Sequence, residues 1–279
     1  MAGPTRKRGK RFRRKLSTWK RTRWGSLIAY TPVLTRVLSR NLILIMGCQR
    51  SGTTLLYMMI SSHPRIAGLN EDEAGYMYPT WLRLLLDLLC RKRTCFKLPT
   101  RTGDLPHLRD RFPHARIVWI VRDPQATIAS MLSLKMEDGR SWLSVVSAPV
   151  LQRHRNMFPE LAEIDPAALD ELTCAAHIYE YKNRALKEFM ASGLTLCTVR
   201  FEDLVSHPRE TAGRLLSALG PGFDERVLNH QRYHAGREYV GENVGGRPVD
   251  GKRASPAVNF SPEDRQTIDT ICVTRVALD

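Results

Sequence analysis

Residues Ile43-Leu-Ile-Met-Gly47-Cys-Gln-Arg50-Ser-Gly52-Thr53-Thr54-Leu-Leu decide the fold. An apolar run feeds a glycine-bounded loop, and a second apolar segment follows the loop. A buried strand, a tight turn and a helix start, in that order, gather backbone N–H groups around one point. The positive end of the helix dipole lies behind them. Such a cradle takes a phosphate or a sulfate. The spacing is the Gly-x4-Gly of a phosphate-binding loop, yet Thr53 stands where the Gly-Lys-Ser/Thr version carries its lysine. The cation comes earlier, at Arg50. The loop therefore reads as a holder of an anionic nucleotide that departs from the usual ATP pattern.

Strands and helices alternate outward from this loop. Strands are expected at Leu42–Met46, Arg65–Leu69, Thr94–Lys97, Ile117–Val121 and Thr195–Val199. Helices are expected at Thr53–Ser61, Tyr78–Cys90, Leu105–Arg111, Gln125–Lys135, Leu169–Ser192 and Pro208–Leu219. Ser261-Pro-Glu-Asp264 reads as a capping box that opens a last helix. The stretch from Arg232 to Asn259, rich in Gly, Arg and Pro, reads as irregular. The alternation predicts an α/β fold, a three-layer sandwich whose mainly parallel sheet binds its ligand at the carboxyl ends of the strands.

Two further stretches carry chemistry. Ile117-Val-Trp-Ile-Val121-Arg122-Asp123-Pro124 is a strand ending in Arg-Asp-Pro, with Ser130 eight residues after Arg122. Later comes Val199-Arg200-Phe201-Glu202-Asp203-Leu204. With Arg50-Ser-Gly-Thr-Thr, these resemble the P-loop sulfotransferases that use 3′-phosphoadenosine-5′-phosphosulfate (PAPS). The likeness is to the Arg-Ser-Gly-Thr-Thr branch, which includes tyrosylprotein and many bacterial sulfotransferases, and it runs from about Asn41 to the C-terminus.

The resemblance implies roles. Arg50 and the N–H groups of Ser51, Gly52, Thr53 and Thr54 would hold the 5′-phosphate, and Arg122 with Ser130 the 3′-phosphate. The lesser alternative for Arg122 is a structural ion pair with Asp123 or Asp203. Glu71 falls where the tyrosylprotein enzymes place their catalytic base. Glu73 is close enough to take that role after a small shift, and His63 and His107 are the histidine alternatives. Lys97, in Lys97-Leu-Pro99, matches an element expected to stabilise the sulfonate and its leaving oxygen. Gly251-Lys252-Arg253-Ala254-Ser255 resembles the basic loop over the cofactor, but no Trp follows it. Phe201 replaces a Tyr frequent in the family. By analogy with phosphoryl transfer the reaction needs cations around the leaving group and no metal. The acceptor, a hydroxyl or less favourably an amine, would lie against Gly75–Leu88 and Leu134–Met157.

Composition fits one core: 279 residues with 43% hydrophobic content. No apolar run reaches the eighteen residues of a spanning helix, and the start lacks the apolar region of a secretory signal. Six cysteines without C-x-x-C spacing read as reduced packing residues of a cytoplasmic protein. The net charge of +15 lies wholly in residues 1–70, which hold fifteen Lys or Arg and no acid before Glu71. Eleven of the fifteen fall between Arg6 and Arg23, interleaved with Phe12 and Trp19. Residues 1–40 thus form a basic extension and residues 41–279 the sulfotransferase domain. A solvated tail is the expectation for the extension. An anionic membrane surface is its candidate partner, giving a membrane-peripheral location, and no specific nucleic acid is expected. The rival readings are a P-loop kinase or NTPase, with Asp123 as magnesium ligand, and a non-catalytic nucleic-acid-binding protein using the basic N-terminus.

Overall fold

The computed structural model describes residues 32–71, 78–136, 138–235, 249 and 259–274. In chain order these form α1 (Pro32–Arg40), β1 (Leu42–Gly47), α2 (Thr53–Ser61), β2 (Ile66–Asn70), α3 (Trp81–Leu89) and β3 (Arg93–Lys97). A one-turn 3-10 helix at Pro99–Arg101 leads to α4 (Leu105–Arg111), β4 (Arg116–Val121), α5 (Pro124–Leu132), α6 (Trp142–His154) and α7 (Glu171–Ala191). The rest is β5 (Thr195–Arg200), α8 (Phe201–Ser206), α9 (Pro208–Leu219), α10 (His230–Tyr233) and α11 (Pro262–Ile271). The sheet order is β2-β3-β1-β4-β5, with every pairing parallel.

β1 lies at the centre because both its faces are apolar. Leu42, Leu44 and Met46 point to one side and pack with Phe96, Ile117, Trp119 and the α7 residues Ala185, Leu186 and Phe189. Ile43 and Ile45 point to the other and join Val118, Ile120, the α2 leucines and Leu215 and Leu216 of α9. Continuous apolar runs are what a parallel strand covered on both faces requires. Each fully buried Leu, Ile or Phe contributes about 1.5–3 kcal/mol. The chain leaves β1 toward β2 and β3, then crosses back to β4 and β5. The carboxyl ends of β1 and β4 therefore border the crevice where open α/β sheets bind ligands.

All five strands and the expected helices form, several within a residue of the expected bounds. The capping box at Ser261 is present, with Asp264 N–H donating to Ser261 Oγ and Ser261 N–H to Asp264 Oδ2. Four helices were not expected: α1, α6, α8 and α10. α1 has no sequence start signal, α6 contains Pro149, and α8 is a single short turn after β5. α5 ends at Leu132 rather than Lys135, where Ser133 Oγ donates back to the Ser130 carbonyl. α10 lies at the start of the stretch read as irregular; most of that stretch lies outside the described residues. All six cysteines are free thiols, and no helix of the described residues is long and apolar enough to cross a membrane.

Candidate active site

The β1–α2 turn has the conformation its glycines allow. Gly47 has φ 142°, and a Cβ there would lie 2.5 Å from the Ile120 carbonyl oxygen. Gly52 has φ 98°, and its Cβ would meet the Phe201 ring at 2.4 Å. Arg50 takes φ 70°, a left-handed conformation that non-glycine residues hold only when their surroundings enforce it. Here the enforcement is visible. Ser51 Oγ donates to the Cys48 carbonyl at 2.7 Å, and Arg122 Nη1 donates to the Arg50 carbonyl at 2.9 Å. Gly52, the N-cap of α2, supplies no side-chain cap, so the first-turn N–H groups face the crevice as anion donors.

Arg122 and Ser130 adjoin this turn. Arg50 Nε donates to Ser130 Oγ at 3.1 Å. The Arg122 guanidinium lies 4.3 Å from the Phe201 ring centre, and Tyr179 Oη donates to the Arg122 carbonyl at 2.7 Å. Phe201 thus braces both Gly52 and Arg122. Reading it as a lost tyrosine hydroxyl missed this packing role. Asp123 caps α5, its Oδ1 accepting from Ala126 N–H at 2.8 Å. Burial pushes the Cys48 thiol up to about 12, so this loop cysteine is inert at neutral pH.

A cavity of about 290 Å³ opens beside the turn. Arg50, Gly52, Thr53, Thr54, Glu71 and Lys97 line one side of it. Lys97 is buried at the end of β3, with Nζ donating to Thr54 Oγ1 at 3.3 Å. Glu71, at 5% exposure, accepts from Thr100 Oγ1 at 2.7 Å. Trp142, Val146, Pro149 and Val150 of α6 form an apolar wall, and Arg153 completes it. The Leu134–Met157 segment therefore faces the cavity as expected. The described part of Gly75–Leu88 does not: Tyr78 stacks on His107 at 4.8 Å, and α3 packs on the core. His63 and His107 lie outside the cavity lining, and His63 Nδ1 accepts from Arg65 N–H in its own loop. Glu73, Lys252 and Ser255 lie outside the described residues.

A second turn, Pro99–Thr102, borders the same cavity through Pro99, Thr100 and Arg101. Lys182, in the middle of α7 and fully buried, donates to the Pro99 carbonyl at 2.6 Å and to Thr102 Oγ1 at 2.8 Å. Thr102 then donates to His154 Nε2, whose Nδ1–H donates to the Val150 carbonyl. Arg153 Nη1 donates to the Thr100 carbonyl at 2.7 Å. Burial lowers the Lys182 ammonium to about 8, still mostly charged at neutral pH. Burial, then the Lys182 charge, lowers His154 to about 3 and keeps its ring neutral. None of Thr100, Thr102, Arg153, His154 or Lys182 was singled out from sequence. The available signal was Lys182 itself, a charge on the apolar stripe of Tyr179, Ala185 and Leu186.

A Sulfotransferase family profile matches residues 73–225, more than half of the chain. The match takes in Lys97, Arg122 and Ser130 and starts beyond the β1–α2 turn. Protein-tyrosine sulfotransferase 1 of Danio rerio is 25% identical over 227 residues, which is 68% of this chain and 56% of that protein. Protein-tyrosine sulfotransferase of Drosophila melanogaster is 24% identical over 226 residues, 69% of this chain and 40% of that protein. The chain spans about half the length of these relatives. The crystal structure of mouse sulfotransferase SULT7A1 complexed with PAP superposes with a TM-score of 0.51 at 14% identity, covering 88% of this chain and 89% of that one. That likeness is one of fold. With the profile match spanning most of the sheet and its helices, the chain belongs to the sulfotransferase family.

Proposed function

We propose that the chain moves a sulfonate from PAPS to a hydroxyl acceptor, an amine being the lesser alternative, by in-line displacement. The observation that carries this reading is the convergence of Arg50, Thr53, Thr54, Glu71 and Lys97 on one cavity. An anionic nucleotide suits the turn. Its first-helix N–H groups have no side-chain cap, and the space a Cβ at Gly47 or Gly52 would need is already taken. Arg50 and the Ser51–Thr54 amides hold the 5′-phosphate in this account, and Arg122 with Ser130 the 3′-phosphate. Lys252 and Ser255 are assigned to cover the nucleotide.

Bound PAPS supplies an activated sulfonate, whose S–O bond to the phosphate breaks as the acceptor oxygen bonds to sulfur. Glu71 takes the proton from the acceptor hydroxyl, its carboxylate held by Thr100 Oγ1. Lys97 offers positive charge where negative charge builds on the leaving oxygen, and burial strengthens that interaction. The α6 wall of Trp142, Val146 and Val150 excludes water and seats an apolar body next to the hydroxyl. The reading assigns residues 41–279 to catalysis, with residues 1–40 as a basic extension and a cytoplasmic, membrane-peripheral location.

Release of adenosine 3′,5′-bisphosphate from PAPS over a panel of phenol, lipid, sugar and peptidyl-tyrosine acceptors tests it. Arg50→Ala and Lys97→Ala should each lower turnover by about 10²–10³ with the melting temperature little changed. Parent-level turnover in both variants would remove the assignment.

A further inference from the structure

The outer side of α3 is apolar where a surface helix is normally polar. Leu82, Leu86 and Leu89 are 57%, 50% and 70% exposed and recur at i, i+4 and i+7, one continuous stripe. The opposite side of the helix, Trp81 and Leu84, is already in the core, and the stripe belongs to neither core cluster of the described residues. Val37 of α1, which packs against α3, adds a further exposed apolar side chain.

Cations rim the stripe. Arg36 and Arg40 of α1 and Arg91 and Lys92 after α3 are exposed. Arg93 Nη1 donates to the Arg40 carbonyl at 3.0 Å, and Asn41 Nδ2 donates to the Lys92 carbonyl at 2.8 Å. These bonds fasten the end of α1 beside the end of α3 and bring the bases together. Arg91 has φ 55°, at a helix-end position that favours glycine. Arg116 and Arg65 lie close enough to Arg93 to lower its affinity for its proton, after burial. The acid on α3, Asp87, is buried and engaged by Arg83 Nε at 2.8 Å and Thr94 Oγ1 at 2.7 Å.

We propose that this leucine stripe and its basic rim dock the protein onto an anionic phospholipid bilayer. The occupant follows from the charge. The segment upstream of α1 carries eleven Lys or Arg between Arg6 and Arg23 with Phe12 and Trp19 among them. Being of the same sign as the rim, it is repelled by the stripe's surroundings rather than attracted to cover them. A second copy of the chain would bring a like-charged face as well. An anionic bilayer satisfies both parts: its headgroups draw the bases and its acyl boundary takes the leucines. The upstream segment, which precedes α1 in the chain, then adds to the same attachment.

The rim lies at the amino ends of the strands, since Arg40 precedes β1 and Arg91 and Lys92 precede β3. The cavity is at the carboxyl ends, one strand length or roughly 15–20 Å away. No residue of α3 lines the cavity, so docking recruits the protein without blocking it, and turnover of a water-soluble acceptor is independent of vesicles.

Vesicle sedimentation of the full chain tests the proposal, using phosphatidylcholine alone and phosphatidylcholine with about one-third phosphatidylserine. The parent should bind the anionic vesicles and leave the neutral ones. The variant Leu82→Ser/Leu86→Ser/Leu89→Ser should bind the anionic vesicles about tenfold more weakly, and Arg40→Glu/Arg91→Glu/Lys92→Glu by a similar factor. All six side chains are exposed, so unchanged melting is expected and checked first. Parent-level binding by the leucine variant would overturn the proposal and leave attachment to the upstream segment. Absence of parental binding would overturn it too. A parental dimer that the serine substitutions split, seen by analytical ultracentrifugation, would assign the stripe to a second copy instead.

Discussion

The two turns that border the cavity are built in opposite ways. The β1–α2 turn is fixed from within: Gly47 and Gly52 take backbone angles and close contacts that side chains forbid, and Ser51 closes the loop on Cys48. The Pro99–Thr102 turn is fixed from outside, by Lys182, His154 and Arg153 on helices more than fifty residues further along the chain. A turn held by its own backbone can be rigid before anything binds. A turn held by a buried ammonium depends on the packing of α6 and α7, so its position couples the site to the core.

The sharpest way to break that contrast is Gly52→Ala. The new Cβ meets the Phe201 ring at 2.4 Å in a left-handed backbone, so strain and overpacking together should cost roughly 2–5 kcal/mol in urea denaturation and abolish bisphosphate binding. Phe201→Ala in the same chain removes the contact but not the angle. The double variant should therefore recover part of the loss, measured as a non-additive cycle.

Lys182→Met attacks the other turn. It leaves the Pro99 carbonyl and Thr102 hydroxyl without their donor, which should cost about 1–3 kcal/mol. Bisphosphate affinity should stay near the parent while turnover falls, because the first turn is untouched. Equal loss of both would mean that the two turns are not independent.

The pH dependence of stability sharpens the comparison further. His154 is lowered from 6.5 to about 3 by burial and by Lys182, so the unfolded chain binds its proton more readily than the folded one. Its contribution is present above pH 6.5 and is lost as pH falls toward 3. His154→Gln should flatten that acid limb of the stability curve, read by chemical denaturation at pH 7 and pH 4. The smallest expected effect is that of Thr100→Val. One donor to Glu71 is lost, and turnover should fall about tenfold with the melting temperature nearly unchanged.

The same contrast explains what the sequence revealed. The β1–α2 turn was readable because glycine spacing and apolar runs are local signals, and the strand ends at Arg122 and Lys97 carried motifs of their own. One of its neighbours was misjudged. Phe201 was read by the hydroxyl it lacks, and the face it presents to Gly52 depends on where β5 ends. The second turn was invisible because its partners come from α6 and α7. α6 was hidden by Pro149, and the Lys182 charge only makes sense once Pro99 and Thr102 are known to lie beneath it. Helix α3 was read as a wall for the acceptor, whereas its Leu82, Leu86 and Leu89 face outward.

The most direct test of the central claim is calorimetric titration of the full chain with adenosine 3′,5′-bisphosphate, paired with ATP and magnesium. The account predicts one saturable bisphosphate site per chain, weakened at least tenfold in Arg122→Ala, and little response to ATP–magnesium. Binding of ATP–magnesium with no response to the bisphosphate would contradict it.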